Sequence, residues 1–227
     1  MTAASFNAVY AVLLIPAAAA GLLALLPSYR LGARLNVVGT LLTFLAAASL
    51  FVRRPPGGAY LQIDDLSIVF IVLNTFVGFT TSLFSASYIA HEIDIGRLTE
   101  RRLRLYHAMY QVLMFAMNLA LVSNNLGLMW VAIEIATLTT VLMVALYRTH
   151  EAIEAAWKYF ILGSVGIALA LFGTILVYVA ARPVVGEGLD AMIWTNLLRA
   201  APALDPSLLN IAFNDCPAYS AHELAQT

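Results

Sequence analysis

The 227-residue sequence is 62% hydrophobic and only 11% charged, with a formal net charge of −1 and a mean hydropathy of +0.86. A soluble domain carries about 25% charged residues to present a solvated exterior, so that class is excluded. The lack of a basic stripe excludes a nucleic-acid partner, and the single cysteine, Cys216, excludes an internal disulfide or a multi-thiolate metal site.

The apolar residues fall in long runs, and a helix needs about 20 of them to cross about 30 Å of hydrocarbon. The first span is expected at 7–26, with Pro16 inside it and Pro27 at its end. No Lys or Arg precedes it, so it reads as a retained helix and not as a signal peptide. The second is expected at 35–52, closed by the Arg53-Arg54-Pro55-Pro56-Gly57-Gly58 turn, and the third at 66–90. The fourth, 106–122, is followed by a short Ser123-Asn124-Asn125 turn, the fifth is 126–146 and the sixth 159–181. The alternating polarity of barrel strands is absent. The predicted fold class is therefore all-α integral membrane, with six transmembrane helices within 1–182.

Beyond Arg182-Pro183 the pattern changes. An outer loop over 183–213 is expected to hold a short surface helix at 192–201, then the start of a seventh helix from Asp205-Pro206-Ser207. Its apolar run stops after Phe213, and 214–227 is an atypical polar tail, read as truncated or frameshifted. Basic residues set the orientation. With the N-terminus outside, inner loops hold Arg30, Arg34, Arg97, Arg101, Arg102, Arg104, Arg148 and the boundary Lys158; outer loops hold Arg53, Arg54, Arg182 and Arg199. The excess favours that arrangement.

Glu134 is the most informative residue. It lies eight residues into the fifth span, about 12 Å below one surface at 1.5 Å per residue. A charge at that depth costs at least about 2.5 kcal/mol, so the carboxyl is expected to face a partner or water. Such a group either exchanges protons or, protonated, makes an interhelical hydrogen bond. Lys158 opens the sixth span. A direct salt bridge to Glu134 is not expected from the difference in depth; Lys158 either modulates Glu134 through water or snorkels beside Trp157. His91 and His107, flanking the arginine-rich loop, read as solvated, and Asn74 and Asn118 as interhelical hydrogen-bond partners. The glycines of Gly163-Ser164-Val165-Gly166 suit close helix approach. No metal site, cofactor site, phosphate loop or nucleophile motif is expected, so the chain has no active site of its own.

The stretch Asn124-Asn125-Leu126-Gly127-Leu128-Met129-Trp130-Val131-Ala132-Ile133-Glu134, with Tyr147-Arg148-Thr149 and then Glu154-Ala155-Ala156-Trp157-Lys158-Tyr159-Phe160-Ile161-Leu162-Gly163-Ser164-Val165-Gly166, resembles the antiporter-like membrane subunits. These occur in respiratory complex I, membrane-bound nickel-iron hydrogenases and multisubunit cation/proton antiporters, and the likeness is closest to the hydrogenase-4 component F branch. The resemblance is specific over about 122–178. It implies that Glu134 belongs to an intramembrane proton-conducting set, which Lys158 modulates. It also implies that the N-terminus faces outside a bacterial or archaeal cytoplasmic membrane, and that the partners are other membrane and peripheral subunits of a redox complex. Family members have about fourteen helices, and their seventh carries a second lysine. This sequence does not continue into that helix, so it corresponds to the N-terminal part of such a subunit. The resemblance leaves two alternatives open: a subunit of a cation/proton antiporter, or a non-functional truncated remnant.

Overall fold

A computed structural model describes residues 8–203 except 27, 56–57, 59 and 95–98. Seven α-helices follow in order: α1 Ala8–Leu25, α2 Tyr29–Ala48, α3 Asp65–Asp94, α4 Glu100–Val122, α5 Leu126–Val144, α6 His150–Val185 and the short α7 Trp194–Ala200. The first six are long and apolar enough to cross a membrane. The chain is an all-α, multi-pass membrane protein. The interrupted seventh helix and the polar tail expected from the sequence lie outside the described residues.

The helices outrun the hydrophobic runs. α2 starts at Tyr29 and not at 35, α3 continues to Asp94, α4 starts at Glu100, and α6 starts at His150 where the apolar run begins only at 159. The physical reason is hydrogen bonding. A charged residue ends a hydrophobic run but not a helix, which continues until something else satisfies its end groups. At α6 that group is Thr149, whose hydroxyl accepts from the Ala152 amide at 3.1 Å. The start of α5 is set in the same way by Asn125, which accepts from the Leu128 amide at 3.1 Å.

α1 packs on α2 and α4, α2 on α3, α4 on α5, and α5 on α6. Near one end an apolar core of Val12, Leu13, Ala47, Leu50, Ile68, Ile71 and Val122 joins the first four helices. Elsewhere the interior mixes apolar contacts with polar side chains: Asn36, Thr40, Thr43, Thr75, Ser82, His107, Gln111 and Asn118 are all buried, while Leu14, Leu25, Phe84 and Leu162 face outward. Lipid is as apolar as leucine, so hydrogen bonds and close contact take over the role of hydrophobic burial between helices. Close contact is achieved at Gly78, where a Cβ would stand 2.5 Å from Met114 Cε, and where the Tyr110 hydroxyl donates to the Gly78 carbonyl at 2.6 Å.

The Ser123-Asn124-Asn125 turn fastens three connections at one membrane face. The Asn124 amide donates to the Tyr60 carbonyl at 2.7 Å, and the Trp194 amide donates to the Asn124 carbonyl at 2.7 Å. The Asn124 side chain adds a bond to Thr195 Oγ1 at 3.1 Å. The α2–α3 connection and α7 are thus tied to the start of α5, the helix that carries Glu134.

Candidate functional site

Glu134 projects from α5 on the stripe shared by Trp130 and Thr137, one turn to either side. Both neighbours touch α6: Trp130 Nε1 donates to the Ile167 carbonyl at 2.9 Å, and a Cβ on Gly163 would meet Thr137 Cγ2 at 3.2 Å. The carboxyl is therefore level with α6 between Gly163 and Ile167, deep in the span. Glu134 is half-buried. Its Oε2 is fully enclosed and has no hydrogen-bond partner among the described residues. An enclosed carboxyl oxygen without a donor is costly, and no interhelical bond recovers that cost.

Lys158 lies two turns inside α6 and not at its start. It is exposed, and its Nζ donates to Glu154 Oε1 at 2.5 Å, an i,i+4 ion pair on the outer surface. It precedes Gly163 by five residues, roughly 7.5 Å along the axis, so it falls short of the Glu134 level. The structure does not bring Glu134 and Lys158 together.

Two further expectations meet definite outcomes. Asn74 Nδ2 donates to Asn118 Oδ1 at 3.0 Å, an interhelical bond between α3 and α4. His107 is not solvated: it is 1% exposed, because α4 begins at Glu100 and carries His107 two turns inside the helix. The side chain of His91 lies outside the described residues. Gly163 touches α5 as expected of a small residue, whereas a Cβ on Gly166 would meet nothing.

The sequence reading missed Asn36, Gln111, Thr40 and Ser82. Gln111 Nε2 donates to Asn36 Oδ1 at 2.9 Å and to the Asn36 carbonyl at 3.2 Å, and the Thr40 and Ser82 hydroxyls are hydrogen-bonded at 2.7 Å. One signal was available. Arg104, Gln111 and Asn118 recur at seven-residue spacing in α4, which places them on one face of the helix.

The fold and the site define a multi-pass helical membrane protein with polar side chains buried between its helices and, among the described residues, no partner for Oε2 of its mid-span carboxyl. Comparison with known proteins narrows the class. Residues 123–201 match the family model described as NADH:quinone oxidoreductase/Mrp antiporter, TM. Residues 59–97 match NADH-Ubiquinone oxidoreductase (complex I), chain 5 N-terminus. A hydrogenase-4 component F homolog from Methylacidiphilum infernorum is 58% identical over 203 residues, which is 89% of this chain and 43% of that protein. An NADH-quinone oxidoreductase subunit N from Opitutus terrae is 33% identical over 57% of this chain and 26% of that protein. In fold, the chain superposes on part of the membrane-bound sulfane sulfur reductase, an archaeal respiratory membrane complex. The TM-score is 0.70 at 22% identity, over 88% of this chain and 41% of that one. The chain belongs to the antiporter-like family of membrane subunits shared by these complexes, and spans less than half the length of the relatives it matches.

Proposed function

We propose that this chain is the N-terminal part of a proton-translocating membrane subunit of a hydrogenase-4-like or NADH-quinone oxidoreductase-like complex. Glu134 is its proton carrier. The observation that carries this reading is the enclosed, unpartnered Oε2 of Glu134 inside the segment that matches the antiporter family model. An intramembrane carboxyl that stabilises nothing by hydrogen bonding is retained for its ability to gain and lose a proton. Lys158 modulates that exchange through the local field. In this structure its charge is shared with Glu154, and it acts on Glu134 over a distance and not by contact.

In this reading the N-terminus faces outside a bacterial or archaeal cytoplasmic membrane, and electron transfer resides in peripheral subunits. The concentration of Arg102, Arg104 and Arg148 at one end of the bundle supports that orientation. The test is Glu134→Gln in the assembled complex, reading proton uptake into vesicles alongside electron transfer. Proton uptake is expected to fall while the complex still assembles; wild-type uptake in the variant removes the proposal. The antiporter alternative is supported by the family model's own description, which names both complexes. It predicts sodium efflux driven by an imposed pH gradient with no electron donor present.

A further inference from the structure

A second group of enclosed polar atoms lies in α2 and α4, toward the arginine-bearing end of the bundle and away from Glu134. Both ring nitrogens of His107, Nδ2 of Asn36, Oε1 of Gln111 and Nε of Arg104 are buried with no hydrogen-bond partner among the described residues. Asn36 and Gln111 are 0% exposed and His107 is 1% exposed. Each such atom costs about 1–3 kcal/mol if nothing meets it, so several within a few turns require an occupant.

The chemistry of the set identifies it. Asn36 Nδ2 and Arg104 Nε only donate, Gln111 Oε1 only accepts, and a neutral imidazole does one of each. A metal cation would suit the acceptors and leave the donors unmet, and an anion the reverse. Water meets both, and polar buried groups of this kind are the ones that hold it. The group also has a cavity for a neighbour. A cavity of about 570 Å³ at the same end is lined by Ala24, Arg102, Arg104, Leu105, Ala108 and Arg148 among the described residues, and Arg104, Leu105 and Ala108 flank His107 along α4. On the far side the Asn36–Gln111 pair leads, one turn along α2, to the hydrogen-bonded hydroxyls of Thr40 and Ser82.

We propose that His107, Gln111 and Asn36 form a hydrated proton-passing site that opens toward the arginine-bearing end, distinct from Glu134. The imidazole takes a proton from water on the cavity side at one nitrogen and releases the proton of its other nitrogen to water held by Gln111 and Asn36. One proton enters and one leaves, and the ring returns to its starting form by exchanging tautomers. Among the described residues, the charged and titratable groups placed near the ring are Arg104, Tyr106 and Tyr110 on α4, with Arg102 and Arg148 on the lining of the cavity. Arg104 precedes it by one turn, Tyr106 meets it at 5.4 Å between ring centroids, and Tyr110 follows it, bonded to Gly78. α1 and α2 present Leu23 and Gly32 there. No carboxylate among these groups would trap the proton as an ion pair. The proposal rests on the reading of the chain as part of a proton-translocating subunit, but not on the role of Glu134.

The experiment uses the assembled complex in native membrane vesicles, in oxygen-18 water, with radiolytic labelling read by mass spectrometry. Water held against a buried side chain labels it. His107 is expected to take up label at doses comparable to His150, whose side chain is 89% exposed; an unlabelled His107 beside a labelled His150 overturns the site. Proton uptake is then compared between His107→Gln and wild type. Glutamine keeps the hydrogen bonds but cannot relay a proton by changing tautomer, so neighbouring residues should stay labelled while uptake falls by at least about tenfold. Wild-type uptake in that variant overturns the proton-passing role. Should His107→Leu prevent assembly, the labelling of wild-type His107 and the His107→Gln comparison still decide the proposal. Normal uptake in Glu134→Gln together with a loss in His107→Gln would remove Glu134 as carrier and leave this site standing.

Discussion

If the Glu134 carboxyl holds no helix in place, removing it should stabilise the protein. Glu134→Leu replaces an acidic group about 12 Å into α5 with an apolar side chain of similar length. An acidic residue at a span centre costs about 2.5–3.5 kcal/mol to insert, while leucine gains about 0.3–0.6 kcal/mol. Glu134 is half-buried, and a carboxyl that binds a proton avoids much of the charge penalty, so a net gain of roughly 1–3 kcal/mol is expected. No bond to Oε2 offsets it among the described residues. Asn118→Leu is the internal control. It breaks the 3.0 Å bond from Asn74 and should cost about 0.6–1.7 kcal/mol, the range measured for interhelical hydrogen bonds. Unfolding of the chain in mixed detergent micelles, followed by circular dichroism, reads both variants on one scale. A Glu134→Leu variant that loses stability as Asn118→Leu does would mean that the carboxyl is a structural hydrogen-bonding group, and the case for a proton carrier would fail.

Two other outcomes follow from the ends of the helices. Asn125→Ala removes the cap that meets the Leu128 amide and should cost about 1 kcal/mol in the same unfolding assay; an unchanged midpoint would show that the Tyr60 and Trp194 backbone bonds fix the turn without it. At the start of α3, Asp64 Oδ1 accepts from the Ser67 amide at 2.6 Å, and hydrogen bonds from Ser67 hold its carboxyl below the ordinary value of 3.8. Because the folded value lies below the unfolded one, the bond stabilises above pH 3.8 and the gain is lost as pH falls through the folded value. Asp64→Asn should remove that acid-side loss, which a midpoint titration between neutral and strongly acidic pH would detect.

The six spans were legible because lipid demands uninterrupted apolar length, and the sequence shows that length directly. Their ends were not. Arg30, Arg34 and Arg102 interrupt hydrophobic runs, yet their helices continue through them, because backbone hydrogen bonds and not hydropathy decide where a helix stops. The misplacement of His107 follows from the same cause. Counted from the start of the apolar run at 106 it sits at the mouth of the span, beside the loop; counted from Glu100 it sits two turns inside a helix. Lys158, at the mouth of the sixth apolar run, lies two turns past the start of α6 for the same reason. Glu134 needed no such correction, since a carboxyl in the middle of a long apolar run is conspicuous wherever the ends fall.

What the sequence could not separate is the two kinds of polar residue inside a membrane. Asn74, Asn118, Glu134 and His107 all read as polar interruptions of apolar helices, and each invites the same bland account as an interhelical hydrogen-bond partner. The structure divides them by whether the bond is made. Asn74 and Asn118 find each other across α3 and α4, although Asn118 Nδ2 is itself buried with no hydrogen-bond partner among the described residues. Among the described residues, Glu134 Oε2 and both nitrogens of His107 find no hydrogen-bond partner, and each unmet polar atom costs about 1–3 kcal/mol. On the proposed reading those unmet atoms are the ones that exchange protons with water, a species small enough to meet a lone carboxyl oxygen and an imidazole nitrogen in so confined a space.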